Sequence, residues 1–580
     1  MSDGAAAGTA APSTHLSQAY VKLDGANAPD DFMRDLVDIT VESSILLPAV
    51  ASILLHDAAL RWIDFAGLAP GKPLVISTRG SRRGEGEQVV FDGEIVELEP
   101  GFRPGVQDLT VRAFDRLHRL TYGRHVRSFL NVTDGDLVQK IAAEVGLSAE
   151  VAATTQVHPY VLQNNETNLQ FLRRRAAAQG LLLYVQGERL VCQPLRAAGT
   201  AVELEWGRGM NEFRPRLTTL QQASGVTVRG WDPAAKQEIV GQAQNGTGAP
   251  QLGFGKTGAQ VIQDAFRLQA PALITDRPVR HQGAADLLAQ AEADRIAGTF
   301  VEAEGTCAGN PALVAGASVR LSAVGERFGG TYLVTAATHT YSAQAGYSTQ
   351  FAVTGHRPST LVGLLAPAED RAPMQGLVIG VVTDNLDPEG LGRVKVKYPS
   401  LSADHASDWA RVVVPGGGAE RGMEFLPEIN DEVLVGFELG DVHCPYVLGG
   451  LWNGKDAPPK KSQEVVSGGK VQQRLIRSRA GHLILLDDTD GGGGITVQDR
   501  GGNKVFINSQ DNSLTVTMNG DTSVSTKGTM TFEATGKVEI KGLGVSVDGG
   551  VGKVDVKGMG VSVDGGAATV DVKATMVNLN

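Results

Sequence analysis

Three short stretches of this 580-residue chain have residue types and spacing that could do chemistry. The stretch GFGKTG, with Gly253, Gly255 and Gly258, has the glycine spacing of a nucleotide-binding loop. A phosphate-binding loop of the Walker type would also need glycine where the chain has Pro250. It would need a strand before the loop as well, and NGTGAPQL is more typical of a loop. We therefore predict no nucleotide cofactor.

The other two stretches could hold a metal ion or a nucleophile. DDTDGGGG places Asp487, Asp488 and Asp490 together, but the remaining ligands of an EF-hand are missing, so a polar turn is the simpler interpretation. His443–Cys444 lies on a predicted barrel strand without a third ligand or a base, which favours a structural role. The chain also lacks GxSxG, HExxH and any carboxylate pair whose spacing identifies a glycosidase. The sequence therefore predicts no catalytic residue, no metal site and no cofactor.

Composition and the first residues limit the class of protein further. The net charge of −11 argues against wrapping nucleic acid or docking on an anionic membrane. The three cysteines, Cys192, Cys307 and Cys444, are far apart and are predicted to be reduced residues of a protein made in the cytosol. The start, MSDGAAAGTAAPSTHLSQAY, lacks the basic and apolar regions of a signal peptide. We expect synthesis in the cytoplasm, no signal peptide, and a disordered arm at residues 1–18.

The elements that would position any site fall into three segments, of which the first mixes strands with a few helices. LVISTRG and Gln88–Pro100 alternate as half-buried strands do. One helix is predicted to begin after the N-cap Thr133 and to end at Gly146, and another to begin near Thr167 and end at Gly180. Strands dominate, which indicates barrel-like α+β modules.

The second segment, Met374–Asp456, contains five short strands and a hairpin turn in NLDPEGLG. Five strands in so short a segment fit a small closed barrel of the OB type, many of which bind oligonucleotides. The segment has 13 Asp and Glu against 6 Lys and Arg, a net charge of −7. A groove that follows phosphates needs the opposite sign, so we interpret this barrel as a connector.

The third segment repeats short valine pairs at a period of about eight residues, and Lys541–Val556 matches Lys557–Val572 at twelve of sixteen positions. Two valines per octad bury little area, and both edges of each strand would stay unpaired in one chain. Three copies wound about one axis would solve both problems. The valines predicted to face that axis are Val545, Val547, Val561 and Val563.

A calcium-binding β-solenoid formed by one chain is the alternative for this segment. Its nonapeptide needs Asp where the chain has Val554, and the period of sixteen residues does not fit two nonapeptides. The stretch ATMVNLN would end a trimeric needle on a small apolar plateau with open strand edges, which invite pairing with another chain. We therefore expect a compact tip protein to be bound by Met576, Val577 and Leu579.

Several stretches closely resemble the VgrG-type spike proteins of contractile injection systems. They are GVVTDNLDPEGLGRVKVKYP, DWARVVVP, LPEINDEVLVGFELGDVHCPYVLGGLWNG and GHLILLDDTDG, and NNETNLQFLRRRAAAQGLLLYV is similar to the hub part of the same proteins. The resemblance extends over nearly the whole chain beyond the N-terminal arm.

This resemblance implies a mainly β fold with some α: a two-barrel phage-hub-like domain, an OB-fold barrel and a C-terminal intertwined triple-stranded β-helix in a homotrimer. The expected parts are a disordered arm (1–18), a hub of tandem barrels with helices (19–370), the OB-fold domain (374–456), a linker (457–470) and the trimeric needle (471–580). The implied function is a structural spike and tube-hub adaptor that punctures a target cell membrane when a sheath contracts.

The implied partners are two further copies of the chain, tube-initiator, inner-tube and baseplate proteins at the hub, a PAAR-like tip protein at the needle end and, transiently, the target membrane. No nucleic acid is expected. The linker leaves no room for the lysozyme domain that some phage spikes carry, and the chain ends at the last octad, so we expect a short needle without cargo. These features favour an extracellular or phage-tail-like injection particle over a type VI secretion system. The particle itself could be cytoplasmic or released.

Two other classes of function stay open. One is a particle-associated cell-wall hydrolase, and the other is a trimeric receptor-binding fibre. The few aromatic residues of the needle and its lack of a distal globular head argue against the fibre.

Overall fold

The computed structural model of the chain describes residues 19–79, 86–194, 198–220, 222–246, 251–342, 344–353, 374, 376–401 and 406–578. The predicted arm at residues 1–18 lies outside these residues, as does Leu579. The chain divides into two units, Met1–Asp456 and Ala457–Asn580. Each unit is described by itself.

The first part of the first unit contains twelve strands and three α-helices. The strands are β1 (Ala19–Leu23), β2 (Ala26–Asn27), β3 (Leu36–Ser44), β4 (Val50–His56), β5 (Pro73–Arg79), β6 (Glu87–Arg103), β7 (Val106–Phe114), β8 (His125–Val132), β9 (Ser148–Val151), β10 (His158–Glu166), β11 (Leu181–Gln186) and β12 (Arg189–Pro194). The helices are α1 (Asp30–Asp35), α2 (Asp134–Glu144) and α3 (Asn168–Ala177). Strands β5 and β6 confirm the two alternating stretches.

The next part contains eleven strands and two helices. The strands are β13 (Ala198–Trp206), β14 (Gly209–Leu217), β15 (Gly225–Asp232), β16 (Gln237–Ala243), β17 (Gln251–Leu252), β18 (Pro271–Ile274), β19 (Val301–Ala308), β20 (Ala317–Ser322), β21 (Gly330–Leu333), β22 (Ala336–Ser342) and β23 (Gly346–Val353). The helices are α4 (Gly258–Phe266) and α5 (Gln282–Gly298).

A single fifteen-stranded sheet joins these two parts, in the order β17-β21-β20-β13-β14-β19-β23-β22-β3-β4-β7-β6-β5-β1-β2. The antiparallel pairing of β22 with β3 connects the two halves of the sheet. Each half surrounds its own hydrophobic core, one containing Ile53 and Leu55 and the other containing Val319 and Val334. Two separate cores within one sheet agree with a tandem arrangement of β modules.

Helices α2 and α3 form where their capping residues predict them. Thr133 and Thr167 are the N-cap residues, and each makes a complete capping box, with Asp136 and Gln170 respectively. Both helices pack on β8 to β12, and the rings of Phe129 and Phe171 stack 5.9 Å apart in the shared core. The two predicted helices are therefore confirmed.

Helix α5 covers the small sheet formed by β15, β16 and β18. A Cβ atom on Gly241 would lie 2.3 Å from the carbonyl carbon of Ala285, so glycine is required for this close approach. Both Ala285 and Ala289 are fully buried against the sheet.

The barrel of the first unit contains all five predicted strands. They are β24 (Val378–Asp384), β25 (Lys395–Lys397), β26 (Arg411–Val412), β27 (Glu432–Phe437) and β28 (Pro445–Gly450), in the order β25-β24-β27-β28-β26. A bridge between Val394 and Ala410 joins the two edges, and a core of fully buried valines fills the interior. This is the closed architecture expected of an OB-type barrel.

The hairpin turn of NLDPEGLG is organised by one carboxylate. Asp387 accepts backbone N–H groups of Glu389 and Leu391, at 3.1 and 2.9 Å, and both ends of the Arg393 guanidinium, at 2.9 and 2.7 Å. The hydrogen bond from Arg393 is the main reason that the pKa of Asp387 lies well below its usual range.

The second unit begins with a one-turn helix, Ser462–Val465, and a short hairpin of β29 (Val466–Ser467) and β30 (Lys470–Val471). An antiparallel sheet follows, formed by β31 (Gln473–Arg477), β32 (Leu483–Asp487), β33 (Gly494–Gln498), β34 (Lys504–Asn508) and β35 (Ser513–Thr517). Residues 518–578 contain no helix or strand.

This sheet differs from the octad interpretation. Successive strands of residues 473–517 begin about ten residues apart and pair with each other, because turns rich in Gly, Asp and Asn reverse the chain between them. The expectation that every strand of the segment takes its neighbours from other copies is therefore wrong for residues 473–517.

Candidate assembly interfaces

The five-stranded sheet of the second unit has one face made of aliphatic side chains. Cross-strand partners lie on the same side of a sheet, and the observed register forms two aliphatic columns. One column is Ile476, Ile484, Val497, Val505 and Val516, and the other is Leu486, Ile495, Ile507 and Leu514. We call these nine residues the apolar face.

Residues 457–578, the described part of the second unit, leave the apolar face uncovered. Eight of its nine residues are 41–65% exposed, and Val505 is half-buried. The opposite face is mixed: Leu475, Leu483 and Leu485 lie there with Thr496 and Thr515, and the Lys504 ammonium lies 4.3 Å from the centre of the Phe506 ring. It is the less exposed face, since the three leucines are half-buried and Thr496 is buried. A sheet needs a second packed layer for stability, so an aliphatic face of this size is typical of an interaction surface.

The sixteen-residue repeat is exposed as well. Val545, Val547, Val561 and Val563, the predicted trimer core, are 58%, 73%, 59% and 73% exposed. Each copy of the repeat turns at Asp-Gly-Gly: the carboxylates of Asp548 and Asp564 accept the N–H groups of Gly550 and Gly566, at 2.8 and 2.9 Å. The inward orientation of the valines stays a prediction.

The predicted seat for a tip protein lies at the end of the same unit. Met576 is 76% exposed and Val577 is 49% exposed. Leu579 lies outside the described residues. These three positions stay predictions.

The first unit contains a junction that the sequence did not predict, between strand β10 and the barrel. Tyr160 and Leu162 of β10 form a buried cluster with Val442 of the barrel, against which Leu401 and Phe437 pack. In this junction the backbone N–H of Leu162 donates to Nε2 of His443 at 2.9 Å. Because Nε2 accepts, the proton of the imidazole lies on Nδ1, which donates to Asp441 at 2.7 Å.

Charges support the same junction. Burial opposes ionisation of Asp441, but the hydrogen bonds from the ring and the backbone N–H of His443 outweigh it and hold the pKa of Asp441 at about 2. A second link runs from Arg280 to Glu438 at 3.0 Å, and the hydroxyl of Tyr446 donates to the same carboxylate at 3.0 Å. The barrel is thus held to the preceding domains by polar groups as well as by packing.

His443 and Cys444 lie in the turn before β28, so their predicted place on a barrel strand is wrong. The turn orients His443 toward β10, which accounts for its structural role. Burial raises the pKa of the Cys444 thiol to about 12, and that of Cys192 likewise, so neither is activated as a nucleophile.

The two remaining motifs serve local structure. In GFGKTG, Thr257 is the N-cap of α4, with a complete capping box to Gln260, and Lys256 pairs with Asp264 at 2.7 Å. The short strand β17 precedes this loop, where the sequence predicted only loop. In DDTDGGGG, Asp487 accepts from Gln473 and from the backbone of Thr489, at 2.7 and 3.0 Å, as a polar turn requires.

Within the described residues, no group of three or more His, Cys, Asp or Glu side chains is placed to hold a metal ion. The described helices are too short or too polar to cross a membrane.

Known proteins match this chain in sequence. The type VI secretion system spike protein VgrG5 of Pseudomonas aeruginosa is 29% identical over 142 residues, which cover 23% of this chain and 16% of that protein. The actin cross-linking toxin VgrG1 of Vibrio cholerae is 30% identical over 118 residues, which cover 20% of this chain and 11% of the toxin. The chain thus aligns with less than a fifth of the length of either relative.

Solved structures match over more of the chain. The half-lidded PdpA–VgrG complex of Francisella covers 87% of this chain and 89% of its own, with a TM-score of 0.53 and 10% identity. At that identity the likeness establishes the fold alone. Residues 378–452 match the model of the type VI secretion system/phage-baseplate injector OB domain.

The chain is thus similar to VgrG-type spike proteins in its OB domain and in short stretches of sequence, and its mainly β fold is that of the Francisella complex. Residues 13–343, more than half of the chain, match the family model described as Alg8 N-terminal domain. The chain belongs to the Alg8 N-terminal domain family.

Proposed function

We propose that this protein is a homotrimeric spike and tube-hub adaptor of a contractile injection system, which punctures the target cell membrane when a sheath contracts. The observation that carries the proposal is the apolar face, together with the exposed valines of the repeat. Both are aliphatic surfaces that the described residues of a single chain leave exposed. Three copies arranged about one axis would bury all of them at once.

The energy available from such an assembly is large. Fully burying one Val, Leu or Ile side chain contributes about 1.5–3 kcal/mol, and residues that are half exposed would gain about half of that. Nine residues of the apolar face would therefore contribute roughly 7–14 kcal/mol per copy, before the entropy of association is subtracted. This amount is sufficient to hold a trimer together.

The other parts have roles that follow from the same proposal. The fifteen-stranded sheet and its helices would contact tube-initiator, inner-tube and baseplate proteins. The barrel would act as the neck, and its junction with β10 would transmit force between hub and needle. We propose that a PAAR-like tip protein binds at Met576, Val577 and Leu579, and that the needle core contains Val545 and Val561.

We also propose that the chain is made in the cytoplasm, becomes part of an injection particle and is not itself an enzyme. The family relatives are spike proteins, although one of them is also an actin cross-linking toxin. The described residues offer a basis for the non-enzymatic role, because the thiols of Cys192 and Cys444 are protonated and the acidic turn at Asp487 is satisfied internally. Purified protein is expected to leave peptidoglycan and nucleotides intact.

Light scattering of the full chain at micromolar concentration tests the proposal. The expected mass is close to 183 kDa, three times 60.9 kDa. A monomer near 60.9 kDa with an ordered second unit would contradict it. Capture of a co-expressed PAAR-like protein, lost on removal of residues 574–580 while the trimer persists, tests the tip seat separately.

A further inference from the structure

The barrel carries a row of cations and aromatic rings along the line where it closes. Val394 and Ala410 are fully buried at the closing bridge, so Lys395 and Trp409 beside them point outward, and the Lys395 ammonium lies 5.0 Å from the Trp409 ring centre. Arg411 lies opposite Tyr446 in the register, 5.4 Å from its ring centre. We call Lys395, Lys397, Trp409, Arg411 and Tyr446 the seam.

The three cations of the seam have no carboxylate within ion-pair distance among the described residues. Arg393, the neighbouring cation, is bound by Asp387 at 2.7 Å. This segregation is unusual because acids outnumber bases 13 to 6 in the barrel segment. A cation-rich row on an acidic domain indicates a surface that meets negative charge from elsewhere.

The same barrel carries a complementary element, residues 416–429. We call this element the arm from here on; it is distinct from the N-terminal arm at residues 1–18. Its base is anchored because Leu426 packs on the barrel core and the amide of Asn385 donates to the Pro427 carbonyl at 3.0 Å. Its apolar residues Met423, Phe425 and Ile429 are 46%, 58% and 53% exposed.

The charge of the arm is opposite to that of the seam. The arm has three glutamates against one arginine, a net charge of −2. Glu420 and Glu424 are exposed, and neither has an ion-pair partner in the part of the chain that the structure describes. One barrel therefore presents an aromatic and basic surface together with an apolar and acidic one.

We propose that the arm of one copy docks on the seam of the next copy in the trimer. Met423 and Phe425 pack against Trp409 and Tyr446, and the carboxylates of the arm pair with Lys395 and Arg411. Two different surfaces that match head to tail generate a closed ring when the rotation between copies is a third of a turn. This inference rests on the proposed trimer and assigns it a second interface, outside the needle.

A single-stranded nucleic acid is the other occupant that this chemistry could fit. OB barrels bind oligonucleotides through cations interleaved with aromatic rings, and the seam has both. The net charge of −7 on the segment disfavours a polyanion, whereas the acidic arm of a second copy brings few charges together with apolar side chains.

Cysteine cross-linking in the full chain tests the contact. The Lys395→Cys/Glu424→Cys double variant is treated with a short bismaleimide, because a lysine–glutamate pair lies farther apart than a disulfide can span. The three natural cysteines are 2%, 0% and 6% exposed and give little background. We expect covalent dimers and trimers on a denaturing gel from the double variant, and monomers from either single variant.

A matched control replaces the seam position by Lys455, an exposed lysine of the barrel segment outside the seam. The Lys455→Cys/Glu424→Cys variant should stay monomeric on the gel. Cross-linked ladders from a single variant would overturn the head-to-tail contact, since they require like surfaces to meet. Absence of ladders from the Lys395 and Glu424 pair, in a protein that light scattering finds trimeric, would also overturn it and leave the proposed function intact. A monomeric wild-type chain would overturn both.

Charge reversal provides a second measurement, the rate at which tagged and untagged trimers exchange subunits. Lys395→Glu/Arg411→Glu and Glu420→Lys/Glu424→Lys should each accelerate exchange about tenfold, and their combination should restore the wild-type rate. Exchange that is insensitive to both reversals would refute the contact. Binding of a fluorescent oligo-dT by the wild type that is lost in Lys395→Glu/Arg411→Glu would assign the seam to nucleic acid instead.

Discussion

Aspartate substitution at two adjacent residues of β35 separates a trimeric needle from a monomeric one. Leu514 belongs to the apolar face and is 65% exposed, whereas Thr515 lies on the opposite face and is also exposed. In an isolated chain both side chains meet water, so Leu514→Asp and Thr515→Asp should have similar small effects. In the proposed trimer, only Leu514 becomes buried, and the two variants should differ strongly.

The difference in trimer stability between the two variants follows from the exposed fraction of the Leu514 side chain. Burying the rest of the Leu514 side chain is worth about 1–2 kcal/mol per copy. An aspartate at this position forfeits that gain and must also lose the hydration of its carboxylate, which costs several kcal/mol per ion even after relaxation. Over three copies the total exceeds about 10 kcal/mol, enough to convert a nanomolar trimer into monomers at micromolar concentration. Thr515→Asp should stay within about 0.5 kcal/mol of the wild type.

Light scattering coupled to size exclusion measures the result directly. The wild type and Thr515→Asp should elute near 183 kDa, three times 60.9 kDa, and Leu514→Asp near 60.9 kDa. Circular dichroism of the eluted monomer would show whether the sheet itself is retained. If both variants were trimeric with equal melting temperatures, the apolar face would not be the trimer interface.

Three further predictions concern the repeat and the junction. Val561→Asp should fray the distal needle or block assembly, because it would place three carboxylates in one narrow apolar layer, whereas Ser562→Asp should be tolerated in thermal melts. His443→Ala should cost about 1–3 kcal/mol in the first unit, since the Leu162 N–H loses its acceptor, and calorimetry should record a lower melting temperature. Because the pKa of Asp441 is depressed from 3.8 to about 2, its contribution to stability is complete above pH 3.8 and is lost as the pH falls through about 2. Asp441→Asn should therefore flatten the pH dependence of melting in that window.

Each of these has an outcome that would contradict it. Equal melts for the Val561 and Ser562 variants would show that the inward face is assigned wrongly. His443→Gln keeps an acceptor near the Nε2 position and should recover part of the loss; an Ala variant as stable as the wild type would remove His443 from the junction. An unchanged acid profile in Asp441→Asn would mean that another carboxylate governs unfolding in that range.

Local signals explain what the sequence determined by itself. The N-cap residues Thr133 and Thr167 fix where two helices begin. Each threonine hydroxyl accepts the backbone N–H three residues later, so this signal lies within one turn of the chain and can be read from the sequence. The five barrel strands and their Asp387 turn follow from alternation and turn residues, which are also short-range.

Contacts between residues distant in sequence were decided by the tertiary structure alone. Leu162 and His443 are 281 residues apart, and no local pattern relates them. The sequence predicted His443 on a barrel strand, and only the structure places it in the turn that faces β10. The apolar face depends on register, since a shift by one residue would turn every side chain to the other side of the sheet. Valine pairs indicate strands but not which strands pair. The chain reverses at each turn between residues 473 and 517, and this reversal pairs Ile484 with Val497. The same pairing leaves an aliphatic surface that a single chain cannot cover.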